Sequence, residues 1–92
     1  VGPEAKLQQK ILKWLRSRPG SFTRKWAQGP YSGAGMPDIH HLEGGVPWYI
    51  EVKAPGCKPT PLQVRCMKDL EAAGARVLVA WSLDDVKEAF AR

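Results

Sequence analysis

Cysteine and histidine are scarce in this chain of 92 residues, with two of each. Cys57 and Cys66 lack the paired spacing of a structural zinc site and have no further cysteines to join, so neither a zinc knuckle nor a disulfide framework organises the domain. One disulfide stays open on count alone, but two free thiols in a reducing compartment are the expectation. No apolar run approaches the length that crosses a bilayer, and no secretory leader is visible; a cytoplasmic chain without a membrane partner is therefore expected. Repeats and low-complexity tracts are also missing, which excludes a solenoid. Acidic residues are nearly absent from the first third. Within residues 1–30 only Glu4 stands against Lys6, Lys10, Lys13, Arg16, Arg18, Arg24 and Lys25, whereas residues 31–53 set Asp38, Glu43 and Glu51 against the single cation Lys53. A basic arm beside an acidic middle suits a polyanion held near a metal site; a solvated lysine-rich helix is the plainer alternative.

What is present is the composition of one folded domain spanning 1–92, with 43% hydrophobic and 25% charged residues. Its core is thin enough to favour oligomerisation. Leu7, Ile11, Trp14 and Leu15 recur at helical spacing, predicting a helix over 4–18 that Pro19-Gly20 ends. Residues 21–28 alternate as a strand with mixed faces, and a glycine-rich loop covers 29–36. Strands are predicted over 37–43 and 47–53, joined by a Gly44-Gly45 hairpin turn. In the second, Trp48, Ile50 and Val52 form the apolar face, and Tyr49, Glu51 and Lys53 the opposite one. Thr60 as N-cap, Pro61 at N1 and Gln63 at N3 spell a capping box, followed by the apolar positions Leu62, Cys66, Met67, Leu70 and Ala73 and a stop at Gly74. A strand over 75–81 and a helix capped by Ser82, with Val86, Ala89 and Phe90 on its apolar side, complete the chain. The strand–helix–strand crossover favours parallel pairing of 47–53 with 75–81. The expected fold class is α/β, a mixed central sheet flanked by helices in the order αβββαβα.

The chemistry concentrates at Glu51-Val52-Lys53. Strand periodicity puts Glu51 and Lys53 on one face with Val52 in the core. The hairpin brings Asp38 toward Glu51, so that two carboxylates, the main-chain carbonyl of Ile50 or Val52 (Val52 preferred), water and a substrate phosphate would suffice for a hard cation such as magnesium. Phosphodiester hydrolysis needs an activated water and charge relief on phosphoryl oxygens, which a metal supplies. Lys53 beside two carboxylates stays charged, favouring an electrostatic role over that of a base. Glu-X-Lys alone is a weak signal and is often a surface ion pair. Its combination with Pro37-Asp38, a preceding glycine loop and a following capped helix is more specific.

These segments resemble the VRR-NUC family of the PD-(D/E)XK nuclease superfamily. Gly35-Met36-Pro37-Asp38 is similar to the family's G-x-P-D segment, Glu51-Val52-Lys53 to its E-V-K segment, and Thr60 to Gln63 with the helix and strand through Val79 to its T-x-x-Q…G…V-x-V block. The resemblance implies a restriction-endonuclease-like core and a magnesium- or manganese-dependent deoxyribonuclease. Asp38 and Glu51 would be metal ligands and Lys53 the catalytic lysine. Glu4 would be a glutamate of the first helix near the metals, and Gln63 a glutamine reaching toward the site. It further implies a minimal stand-alone phage-type enzyme, cytoplasmic in its host cell, that forms a homodimer and cuts branched DNA such as four-way junctions. Flaps, nicks or duplex ends, or a catalytically inactive DNA-binding module, are the alternatives. Each residue also has a plainer role: Glu4 can favour a helix N-terminus, and Gln63 can simply cap. His40 shares the face of Asp38, where a phosphate or metal contact and a structural hydrogen bond stay equally open, so it is not assigned as a ligand. Lys6, Lys10, Lys13, Arg24 and Lys25 are candidates for the DNA backbone, and Tyr31 and Ser32 for further substrate contacts.

Overall fold

The computed structural model describes residues 2–26 and 34–92; Tyr31, Ser32 and the expected end of the first strand at Ala27 and Gln28 lie outside the described residues. The elements run α1 (Pro3–Arg16), β1 (Ser21–Lys25), β2 (Ile39–Glu43), β3 (Val46–Val52), α2 (Pro61–Ala72), β4 (Arg76–Ala80) and α3 (Leu83–Ala91). This is the expected αβββαβα order. The strands form one sheet in the order β1-β2-β3-β4, antiparallel across the first two pairs and parallel between β3 and β4. The β2–β3 hairpin turns at Gly44 and Gly45, with φ of 58° and 78°. Two consecutive positive φ values suit a tight hairpin turn that only residues without a Cβ adopt freely. No helix among the described residues is long and apolar enough to cross a membrane.

One face of the sheet carries the core. Ile39, Ile50, Val52 and Ala80 meet Ile11, Leu12 and Leu15 of α1 and Val86 of α3. Phe90 of α3 stacks on Trp48 at 4.1 Å between ring centroids and meets Trp14 edge-on at 5.8 Å, so Trp48 belongs to the interior and Trp14 packs against it, partly buried. The strand at β1 has mixed faces in sequence, and the structure settles its orientation by polar pairing. Thr23 turns inward because its Oγ1 lies 2.7 Å from Nδ1 of the buried His41, whose Nε2 is 2.9 Å from Glu43 Oε1. Phe22 is left 47% exposed on the other face, beneath the Arg24 guanidinium.

Helix α2 lies on the opposite face, where Tyr49 and Glu51 project. Its N-terminus forms the expected capping box. Of its expected apolar stripe only Met67 is buried, while Leu62 is 55% exposed. The helix touches the sheet mainly at β4, and its first turn reaches β3 through Gln63, which donates to Glu51. That turn presses on the loop before Asp38: a Cβ added at Gly35, whose φ is +80°, would sit 2.7 Å from the Leu62 carbonyl oxygen. Glycine is required there for both reasons.

Candidate metal centre

Two short structural facts bring the acidic residues together. The β2–β3 ladder closes on the pair Ile39↔Ile50, so Asp38 falls opposite Glu51 one step further along. Asp38 itself sits in the bend just before β2, not within a strand from 37 as the sequence predicts. The side chain is anchored there: Asp38 Oδ2 accepts a hydrogen bond from the Val52 N–H at 2.8 Å. The Asp38 carbonyl accepts from the Trp26 N–H at 2.7 Å, tying the same bend to the end of β1. Pro37, fully buried, holds the approach to it.

Glu51 is 1% exposed, although it points away from the aliphatic core. Its Oε2 accepts from Gln63 Nε2 at 3.1 Å and lies 3.5 Å from Lys53 Nζ. Its Oε1 is buried and has no hydrogen-bond partner among the described residues. Burial, then the charge of Asp38, pushes the Glu51 carboxyl up to about 7, against the opposing pull of Lys53. Burial also raises Asp38, opposed by the Val52 N–H and reinforced by the charge of Glu4. Two facing carboxylates that resist ionisation, one with an orphaned oxygen, form a hard oxygen donor set that a cation would relieve. The residues present therefore fit a divalent ion. Among the described residues no three of His, Cys, Asp and Glu cluster closely enough to hold a metal by themselves. The remaining positions would fall to main-chain oxygen, water and substrate, which suits magnesium's habit of keeping several waters.

Of the residues singled out from sequence, the fold gathers Asp38, Glu51, Lys53 and Gln63. Glu4 stands near enough for its charge to raise both carboxylates. Lys25 is near enough to lower Asp38. Gln63 makes two bonds at once: its Oε1 accepts from the Thr60 N–H at 2.8 Å while its amide nitrogen donates to Glu51. Lys6, Lys10 and Lys13 are exposed along α1, and Arg24 is exposed on β1 with Nη1 donating to the Thr23 carbonyl at 2.9 Å. His40 is on the Glu51 face, stacked on Tyr49 with centroids 4.8 Å apart. Two contributors escape sequence reasoning. The Val52 amide is main chain and carries no residue-type signal. Tyr49 is visible in sequence only as a position alternating with Ile50 on the face of Glu51.

A restriction-endonuclease-like α/β sheet with an acidic pair and a lysine at the hairpin's open end defines a class of proteins. Within it, the chain is structurally homologous to the VRR_NUC domain of the PD-(D/E)XK nuclease superfamily. One solved structure, described as a VRR_NUC domain, superposes with a TM-score of 0.83 and 28% identity, over 100% of this chain and 98% of that one. A second, described as a VRR_NUC domain protein, shares the fold at a TM-score of 0.76 and 20% identity, over 96% of this chain and 84% of that one. No protein-family model and no curated protein matches the chain.

Proposed function

We propose that this chain is a metal-dependent DNA endonuclease that hydrolyses phosphodiester bonds in branched DNA such as four-way junctions, acting as a homodimer. The observation that carries the hydrolytic part is the buried Glu51 carboxylate, with one oxygen unpartnered among the described residues and the other shared by Gln63 and Lys53, facing Asp38. Magnesium or manganese between Asp38 and Glu51, with the Val52 carbonyl as a further donor and Glu4 close by, would supply a polarised water and charge relief on the phosphoryl oxygens. The chain's own groups do the rest. Val52 N–H fixes the Asp38 carboxylate, and Gln63 fixes that of Glu51. Lys53, half-buried beside Glu51, places a positive charge where a scissile phosphate gains negative charge. Lys6, Lys10, Lys13, Arg24 and Lys25 are exposed cations suited to phosphates that flank the cut, a contact that positions DNA without reading bases. Tyr31 and Ser32 are proposed as further substrate contacts.

A DNA-binding module without catalysis is disfavoured by the same carboxylate, because a buried and incompletely paired charge is costly to retain for binding alone. The preference for branched substrates follows from the VRR-NUC resemblance and from the two sites that a two-fold dimer would present to a symmetric junction. A cleavage panel tests both levels. Four-way junction, flap, nicked duplex and plain duplex are incubated with manganese, with EDTA, and with EDTA followed by excess manganese, and the dimer is checked by sedimentation. Cutting that stops with EDTA, returns with manganese and is fastest on the junction is expected. Metal-independent cutting would overturn the mechanism, and equal cutting of all four substrates would overturn the junction preference.

A further inference from the structure

A groove separate from the acidic pair runs between α1 and the start of α3. Its larger hollow, about 490 Å³, is lined by Lys6, Leu7, Lys10, Pro55, Trp81 and Leu83, among others. A second, about 310 Å³, is lined by Lys10, Lys13, Trp14, Ser17 and Leu83. The two hollows share Lys10 and Leu83 and follow one another along α1. Neither lining includes a carboxylate. Among the described residues none of the three lysines enters an ion pair. They occur at i, i+4 and i+7, and so share one helix face; at about 1.5 Å per residue, Lys6 and Lys10 are about 6 Å apart along the axis, near the phosphate repeat of an extended strand. Trp81 is 41% exposed, and its ring is pinned by Nε1–H donating to the Cys57 carbonyl at 2.7 Å.

We propose that this groove binds a single strand of DNA continuing from the cleavage centre, with a base stacked on Trp81 and phosphates held by Lys6, Lys10 and Lys13. The mouth of the groove adjoins that centre in the chain: its lining includes Pro3, the neighbour of Glu4, and Pro55, two residues beyond Lys53. Cations along one wall and an aromatic face at the mouth match the alternation of phosphate and base, and this chemistry tolerates any sequence. The hollow is too small for a duplex, which would have to present both backbones. The N-terminus of α3 adds no anion site, since Ser82 and Asp85 already cap one another; recognition falls to the lysines. The proposal rests on the nuclease reading of the adjacent centre and specifies which form of its substrate lies beside the cut.

The test is a fluorescence titration of the full chain with a ten-residue oligothymidylate in EDTA, across a salt series. Quenching of tryptophan emission is expected. Trp81→Ala should lose most of that quenching and about tenfold in affinity, whereas Trp81→Phe, which keeps a stacking face but not the bond to Cys57, should restore affinity to within about threefold. Lys6→Ala with Lys10→Ala should reduce the slope of log affinity against log salt by about 1.4, or about 0.7 for each phosphate no longer neutralised. Unchanged affinity in Trp81→Ala, failure of Trp81→Phe to rescue, or an unchanged salt slope overturns the proposal. Manganese-dependent cleavage by the same preparation separates the two readings. Cleavage without oligothymidylate binding removes the groove and spares the nuclease; binding without cleavage of any DNA sustains the groove and removes the nuclease.

Discussion

Gln63 couples the cap of α2 to Glu51: its Oε1 accepts the Thr60 N–H at 2.8 Å, and its Nε2 donates to Glu51 Oε2 at 3.1 Å. A residue that caps the start of one element thereby positions a carboxylate on another. Helix start and acidic centre become one hydrogen-bonded unit, so a disturbance at either end can be told apart by what it leaves intact.

Thr60→Ala and Gln63→Ala separate the two duties. Each should cost about 1 kcal/mol of stability by weakening the capping box. Only Gln63→Ala frees Glu51, and loss of such an orienting partner should lower metal affinity or cleavage about 10- to 100-fold. Melting curves and cleavage rates measured on both variants check this, with Thr60→Ala remaining within about threefold of the parent rate. Equal losses of activity in the two would reduce Gln63 to a cap.

Glu51 makes the metal-free protein sensitive to alkali. Its carboxyl is raised from about 4.5 in the unfolded chain to about 7 in the fold, by burial first and by Asp38 second. The folded state therefore keeps a proton that the unfolded state releases, and stability falls as pH rises through that window. Glu51→Gln preserves the neutral shape. In EDTA it should melt several degrees above the parent at pH 8 and match it near pH 4, while cleavage is abolished. Thermal melts across pH 4 to 8 provide the measurement, and a parent protein whose melting is independent of pH over that range would refute the strain assigned to this carboxylate.

Glu43 acts in the opposite sense. The Arg18 guanidinium, bonded to both of its oxygens at 2.7 and 2.8 Å, together with His41 holds its carboxyl down to about 2. The stability it contributes is fully present above the ordinary carboxylate range and is lost as pH falls through about 2. Glu43→Gln should cost roughly 1–3 kcal/mol near neutrality. The difference from the parent should shrink steadily below pH 4, as denaturant midpoints at successive pH values would report.

Much of this is legible from residue types. The capping box at Thr60, the Gly44-Gly45 turn and the alternation through Trp48, Ile50 and Val52 each have one local physical solution, and the structure adopts it. The pairing of Asp38 with Glu51 follows from the hairpin. Burial of Thr23 instead of Phe22 is not legible, because it depends on His41 and Glu43 arriving from another strand. Nor is the exposure of Leu62, which depends on where α2 meets the sheet. The Val52 amide that fixes Asp38 and the groove beside Trp81 arise only when separate elements are brought together.

Anomalous diffraction from a manganese-soaked crystal tests the central claim most directly. A manganese peak within coordination distance of both the Asp38 and Glu51 carboxylates, absent from Glu51→Ala crystals treated identically, is the predicted result. A peak elsewhere with none between these two side chains, from an enzyme that nonetheless cuts DNA with manganese, would contradict it.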